Sequence, residues 1–389
     1  MTRVCMVTLT DACDDLRIRK EAESATRRHQ VFAVCPADAG SVKPFPCRGF
    51  EVHPVRIRSR RLPKSPIFWA IKYAEFLLRA TWTAARRRAT VYHGHDITGA
   101  FSAFLAAKWT GAKFVYDAHE LEADRAGLLE RSRWLRALQL FFLRRLLRRA
   151  DHVICASESR ADIMLAEYGV RERPTPILNV TPRAGMPEAC AGICLPEGVD
   201  LAGKKVVLYQ GTLAPGRGLD RVVAALPLLD ESVVLMILGD GGTFHELIRQ
   251  AEREGTRDRL IMVGRVPADS LIAYMRLAHV GLAIYRNVCR NNYYCAPNKI
   301  FEYASVGLPV VGPNFPDVEA LLREFGIGRT FDPEDSASIA DAIRDVLAST
   351  DRYASMRAAA LALKETVNWE REEEKLLSIY AKLGTSTKS

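Results

Sequence analysis

Short, unbroken apolar runs, each followed by a helix-like stretch or a loop leading to one, recur along almost the whole chain. This rhythm narrows the possible folds more than any other feature. Such runs stand at 4–8, 31–35, 90–93, 113–117 and 152–156, and again at 206–210, 233–239, 260–264, 280–285 and 309–311. Strands covered by helices on both faces read as continuous apolar runs, so the pattern predicts parallel sheets in an α/β architecture. A less periodic stretch, 173–201, holds Pro174, Pro176, Pro182, Pro187 and Pro196 and reads as a linker. At 389 residues the chain exceeds what one core ordinarily serves. Two α/β domains are therefore expected, 1–185 and 200–368, with a last amphipathic helix in 369–389 crossing back to the first. Two such lobes place a cleft between them, and ligands of such sheets bind at the carboxyl ends of the strands.

Several function classes are disfavoured at once. With 48% apolar and 26% charged residues the composition is that of an ordinary globular protein. The first residues lack a long apolar stretch and cleavage site, and the most apolar segments, 68–78 and 138–147, are too short and too charged to span a bilayer. A cytoplasmic location is the expectation. Of the nine cysteines, Cys5, Cys35 and Cys155 sit in strand-like runs, while Cys190 with Cys194 and Cys289 with Cys295 lack partners at zinc spacing. Reduced thiols and no metal site are expected.

The loop after the first strand, Leu9 to Asp15, contains no glycine and three aspartates, which argues against a dinucleotide fingerprint and a nicotinamide enzyme. The equivalent loop of the second series reads Gly211-Thr212-Leu213-Ala214-Pro215-Gly216-Arg217-Gly218. Its glycines allow close backbone approach to a ligand, and Arg217 offers a guanidinium fork to phosphate, although a plain turn with a solvated arginine reads the same way. Further glycine-bounded strand ends follow at Gly239-Asp240-Gly241-Gly242 and Gly264-Arg265-Val266. The most specific segment runs from Ala296 through Pro297-Asn298-Lys299-Ile300-Phe301-Glu302-Tyr303 to Gly307 and Val311. Pro297 suits a helix's first turn and Gly307 its end. Lys299 and Glu302 share a helix face as an ion pair, or Glu302 accepts from two ribose hydroxyls while Lys299 faces a pyrophosphate.

These motifs resemble glycosyltransferase family 4, retaining enzymes of GT-B fold, in the branch with a PNKxFEY segment. Residues 15–22 resemble its N-terminal loop and first helix, Phe114 to Glu120 its segment with a histidine near the reacting sugar, and Trp369-Glu370 its returning helix. The resemblance implies two Rossmann-like domains with parallel sheets facing each other across the cleft, the second binding a nucleoside-diphosphate sugar as co-substrate, with no resident cofactor or metal. Carried over, Glu302 meets the ribose, Arg217 the phosphates, Arg265 and Val266 the base, and His119 the transferred sugar. Gly211, Thr212, Gly216, Asn298 and Lys299 complete the donor site. His93, His95 and Asp96 also cluster after a strand; they read as hydrogen-bonded structural groups, with no further metal ligands evident. Two departures stand out: Tyr294 replaces the first glutamate of the signature, and Thr212 an arginine common in the family. They motivate the alternative of a catalytically weak subunit that binds a nucleotide sugar or a partner.

The net charge of +9 is concentrated: 56–88 carries +9 and 131–149 carries +7, leaving the remainder at −7. Both basic stretches mix arginine with aromatic and aliphatic residues, as interfacial helices do. An anionic membrane surface is the expected partner, with a glycan or lipid-linked acceptor; a soluble natural product is the other acceptor class. No nucleic-acid recognition module accompanies the charge.

Overall fold

The computed structural model describes residues 2–37, 43–63, 65–125, 133–185 and 192–385. Lys64, Arg131, Pro187, Cys190 and the tail from 386 lie outside the described residues, as does the side chain of Arg133. The chain divides into two compact units: Met1–Asn179 together with Arg371–Ser389, and Val180–Glu370.

The first unit is built on strands β1 (Arg3–Val7), β2 (Gln30–Pro36), β3 (Phe45–Cys47), β4 (Phe50–Val55), β5 (Val91–His95), β6 (Lys113–Ala118), β7 (His152–Cys155) and β8 (Thr175–Pro176). Their order across the sheet is β3-β4-β2-β1-β5-β6-β7-β8, parallel except for the β3–β4 hairpin. Its helices are α1 (Leu16–Thr26), α2 (Pro66–Arg86), α3 (Asp96–Thr110), α4 (Arg133–Leu147) and α5 (Glu158–Ile163). Local chemistry sets the helix ends. Asp15 caps α1 by accepting from the Arg17 and Ile18 amides, Ser65 followed by Pro66 starts α2, and left-handed Gly111 ends α3.

The second unit has strands β9 (Lys205–Gln210), β10 (Val233–Leu238), β11 (Leu260–Gly264), β12 (Val280–Leu282), β13 (Val310–Pro313) and β14 (Gly328–Phe331), all parallel, in the order β11-β10-β9-β12-β13-β14. Around them run α6 (Leu219–Ala225), α7 (Phe244–Arg253), α8 (Leu271–Leu277), α9 (Arg290–Tyr293), α10 (Asn298–Ser305), α11 (Pro316–Phe325), α12 (Ser336–Leu347) and α13 (Thr350–Thr366). Val207, Leu235, Ile237, Leu282 and Val311 form the middle of its core. The last helix, α14 (Trp369–Thr385), belongs from Arg371 onward to the first unit. There Lys375 reaches the Pro176 carbonyl, Glu372 accepts the Leu178 amide, and Tyr380 is buried.

Three features depart from the sequence reading. The β3–β4 hairpin was unread because Pro46 and Pro54 interrupt it; Pro46 stands in an edge strand, where a missing N–H is tolerated. Four-residue β14 carries too little apolar signal to register. Cys13 and Cys47 form a disulfide, with their Cα atoms 6.5 Å apart, against the expectation of reduced thiols. Cys5, Cys155, Cys194 and Cys289 are free thiols.

Candidate active site

In the second unit, the loops after β9, β10 and β11 are laced together by their backbones. Gly211 N donates to the Leu238 carbonyl, Leu213 N to that of Asp240, and Gly239 N to that of Gly264. Packing this tight requires glycine. A Cβ on Gly239 would lie 1.9 Å from the Gly211 carbonyl oxygen, and one on Gly241 2.1 Å from that of Leu213. The glycines at these strand ends thus let three loops converge on one hollow.

That hollow measures about 620 Å³, within the usual range for small-molecule sites. Gly211, Thr212, Arg265, Val266 and Glu302 line it, so five of the donor residues read from sequence meet there. Gln210, the buried end of β9, lines it too and donates from Nε2 to the Glu302 carboxylate. Sequence reasoning missed Gln210. Its one signal was a polar residue closing an otherwise apolar strand.

Arg217 and Lys299 stand beside the hollow. The Arg217 guanidinium lies 4.5 Å from the Tyr285 ring centre; Lys299 Nζ lies 4.4 Å from that of Tyr209 and 5.1 Å from that of Tyr285. A Cβ on Gly211 would come within 3.1 Å of Lys299 Nζ, which places the ammonium against the glycine loop after β9. Burial, reinforced by repulsion from Arg217 and opposed by Glu302, pulls the Lys299 ammonium down to about 7. Lys299 and Glu302 are therefore not a simple surface ion pair.

Gly216 sits in the short turn with Arg217, and the helix after it, α6, has only seven residues. Asn298 is exposed at the start of α10, with Pro297 one position earlier as its cap. Tyr294 is half-buried, its ring edge-on to Tyr293 and 5.9 Å from the Arg290 guanidinium.

The first unit holds a separate polar cluster where β5 and β6 run side by side with His95 opposite Asp117. Buried Arg17 grips Asp117 with two bonds (Nε to Oδ2 3.2 Å, Nη2 to Oδ1 2.9 Å) and lies 3.0 Å from the Glu21 carboxylate. His119 Nε2 is 3.0 Å from Asp117 Oδ2, and its amide donates to Asp96 Oδ1 at 3.0 Å. Asp96 holds that position in a left-handed backbone (φ 51°), unusual for a residue other than glycine. His93 Nδ1 meets the Tyr380 hydroxyl at 2.5 Å.

Charge states follow from these contacts. Burial alone would raise Asp117, but Arg17 and His119 hold it well below the usual carboxylate range. Burial opposes the His119 charge, yet Asp96 and Asp117 outweigh it and lift the imidazole to about 9. Glu21 is pushed up to about 8 by burial and by Asp117, while burial lowers His93 and His95. At neutral pH the cluster therefore holds charged Arg17, Asp117 and His119, with Glu21 and the other two histidines neutral.

The sequence showed no ligands to accompany His93 and His95, but the fold supplies two. Glu21, His93, His95 and Asp117 offer ligand atoms all within 4.8 Å of one another. A cation there would have to share Asp117 with charged Arg17 and His119 and displace the proton of Glu21.

Comparison with known proteins bears on both units. Residues 17–179 match the family described as glycosyl transferase 4-like domain, and residues 198–362 match glycosyl transferases group 1. Glycogen synthase of Mycobacterium tuberculosis is 27% identical over 305 residues, covering 75% of this chain and 69% of the relative. A GDP-mannose-dependent alpha-(1-6)-phosphatidylinositol monomannoside mannosyltransferase of the same organism is 28% identical over 164 residues, 41% of this chain and 42% of that one. Among solved structures, sucrose-phosphate synthase of Thermosynechococcus elongatus superposes with a TM-score of 0.81 at 16% identity, covering 99% of this chain and all of that one. Anabaena HepE in complex with UDP-glucose gives 0.73 at 17% identity, with 99% and 100% covered.

Proposed function

Since the chain belongs to the family 4 type of glycosyltransferases and has the GT-B fold, we propose that it moves a sugar from a nucleoside diphosphate to a hydroxyl of a glycan or lipid-linked acceptor, with retained anomeric configuration and without a metal. The observation that carries this reading is the glycine-walled hollow with the Glu302 carboxylate held in place by Gln210 and two cations, Arg217 and Lys299, beside it. Glu302 accepts from the vicinal ribose hydroxyls, and Arg265 and Val266 flank the base. Arg217 and Lys299 neutralise the diphosphate as the glycosidic bond breaks, which is where charge grows most in the transition state. The leaving phosphate takes the proton of the acceptor hydroxyl on the same face. His119, cationic at neutral pH, serves the sugar as a hydrogen-bond donor and a positive charge; its pairing with Asp117 leaves it no capacity as a base.

The relatives named above include a glycogen synthase and a phosphatidylinositol monomannoside mannosyltransferase, which supports both glycan and lipid-linked acceptors in polysaccharide or glycolipid assembly. In this reading the enzyme works on the cytoplasmic side, peripherally at the membrane. Among the described residues no helix is long and apolar enough to cross a bilayer.

A thermal-shift screen of UDP, GDP, dTDP and ADP, with Glu302→Ala as control, tests the donor site. A ligand at a hundred times its dissociation constant adds about 2.7 kcal/mol of stability. One nucleotide is expected to stabilise the wild type and not the variant. No response to any nucleotide or intact sugar nucleotide would reject the donor site. Tyr294 and Thr212, standing where the family carries charge, support a second reading as a nucleotide-sugar-binding subunit of low activity. Donor binding with neither hydrolysis nor transfer would select it.

A further inference from the structure

Helices that cover a sheet ordinarily turn their apolar stripe inward and a polar one to water. Helix α2 has apolar side chains on both sides. Phe76, Ala80 and Ala84 are buried, while Ile67, Ile71, Leu78 and Trp82, at spacings of one outward stripe, are exposed. Helix α4 repeats this arrangement, with Leu143, Leu146 and Leu147 inside and Trp134, Leu138 and Phe141 outside. Helix α3 lies next to α2, and its exposed Trp109 meets Trp82 with ring centres 5.5 Å apart. Four of the five tryptophans, Trp69 (57% exposed), Trp82 (51%), Trp109 (61%) and Trp134 (72%), stand on these three helices. The fifth, Trp369, is buried.

Cations frame the apolar surface at the carboxyl ends of the same helices. Arg86, Arg88, Lys108, Arg145 and Arg149 are all exposed there. Arg86 lies over Trp82 and Arg145 over Phe141, 5.3 and 5.9 Å from the ring centres. The single acid of α2, Glu75, is occupied by Arg79 and by the amides of Arg58 and Ser59. Between Trp82, Trp109, Arg86 and Arg88 opens a hollow of about 530 Å³, room for a phosphate headgroup.

We infer that the outer face of α2, α3 and α4 docks on an anionic phospholipid bilayer, with its tryptophans at headgroup depth and its arginines on lipid phosphates. Amphipathic aromatic rings favour the membrane interface, and each nearby cation adds to the attraction of an anionic leaflet. A second copy of the chain would set arginine against arginine. Nucleic acid would match the charge but leave the apolar stripes in water. The inference gives the proposed transferase its membrane face. Vesicle binding is read without catalysis, so its failure and a failure of the donor screen are separate results.

The test floats the full chain with vesicles of phosphatidylcholine, with and without phosphatidylglycerol, including lipids brominated in their acyl chains. Binding is expected only to the anionic vesicles, weakening with salt, with tryptophan emission quenched by the brominated chains. Arg86→Gln with Arg145→Gln should lower the affinity roughly thirtyfold at low salt. Trp82→Ser with Trp109→Ser should cut quenching and binding while the nucleotide thermal shift stays as in the wild type, which shows the variant folded. Absence of flotation, flotation without quenching, or sedimentation showing a dimer that shields these tryptophans would each overturn the inference.

Discussion

Raising the pH from 7 to 9 should strip the charge from Lys299 and with it much of the affinity for a sugar nucleotide. In the free protein, burial and the nearby Arg217 bring the ammonium to about 7, so half of the molecules carry it at that pH. A bound pyrophosphate restores the charge by giving the ammonium a counter-ion in the same enclosed place. If only the charged form grips the phosphates, linkage makes binding fall roughly fiftyfold from pH 7 to pH 9. An intact sugar nucleotide is the ligand of choice, because its diphosphate is already fully ionised across this range. Calorimetry at pH 8 in two buffers of different ionisation enthalpy should show uptake of about 0.9 proton per donor bound. Lys299→Arg, whose guanidinium stays charged throughout, should lose this fiftyfold fall, and so should the weaker Lys299→Met, each keeping only the slope that His119 contributes. His119, Glu21 and other groups that titrate in this pH range are unchanged in these variants, so the difference from wild type isolates Lys299. A flat wild-type profile, or the same slope in Lys299→Met, would refute the reasoning.

The close loops of the second unit predict that Gly239→Ala costs on the order of 3 kcal/mol in thermal unfolding, since its Cβ would enter the Gly211 carbonyl at a backbone φ of 144°. Gly242→Ala, with nothing within 4 Å, should stay within about 0.5 kcal/mol; equal melting of the two would dismiss the close approach as the cause. His119 is raised from 6.5 to about 9, so its ion pairs add stability that is complete below pH 6.5 and disappears as the pH passes through 9. His119→Asn should remove that slope from a plot of melting temperature against pH, and an unchanged slope would assign it elsewhere.

Much of this was legible in the sequence for a local reason. Buried parallel strands declare themselves as apolar runs, and the glycines at the ends of β9, β10 and β11 sit where the chain must turn; it was the family resemblance that assigned Gly211, Arg265 and Glu302 to one ligand. What stayed hidden depends on partners far apart in the chain. Arg17 meets Asp117 across a hundred residues, and nothing near either announces the pairing. The same holds for Cys13 with Cys47, 34 residues apart in the chain. Gln210 looked like the tail of a strand until the carboxylate it holds came into view. For the β3–β4 hairpin the local signal itself was spoiled by proline.

The return of α14 to the first unit also has a consequence for synthesis. Tyr380, Leu376 and Leu377 complete a core whose strands are made before residues 180 to 370, which must be polymerised in between. At ordinary ribosomal speed that interval is roughly 10–40 s. Through it the nascent first unit exposes the apolar seat of its last helix and leaves His93 without the Tyr380 hydroxyl, while the second unit can already close on itself. The first unit therefore closes only after the second has been made, and a chaperone that shields that empty seat would find its client in the nascent protein rather than in the folded one.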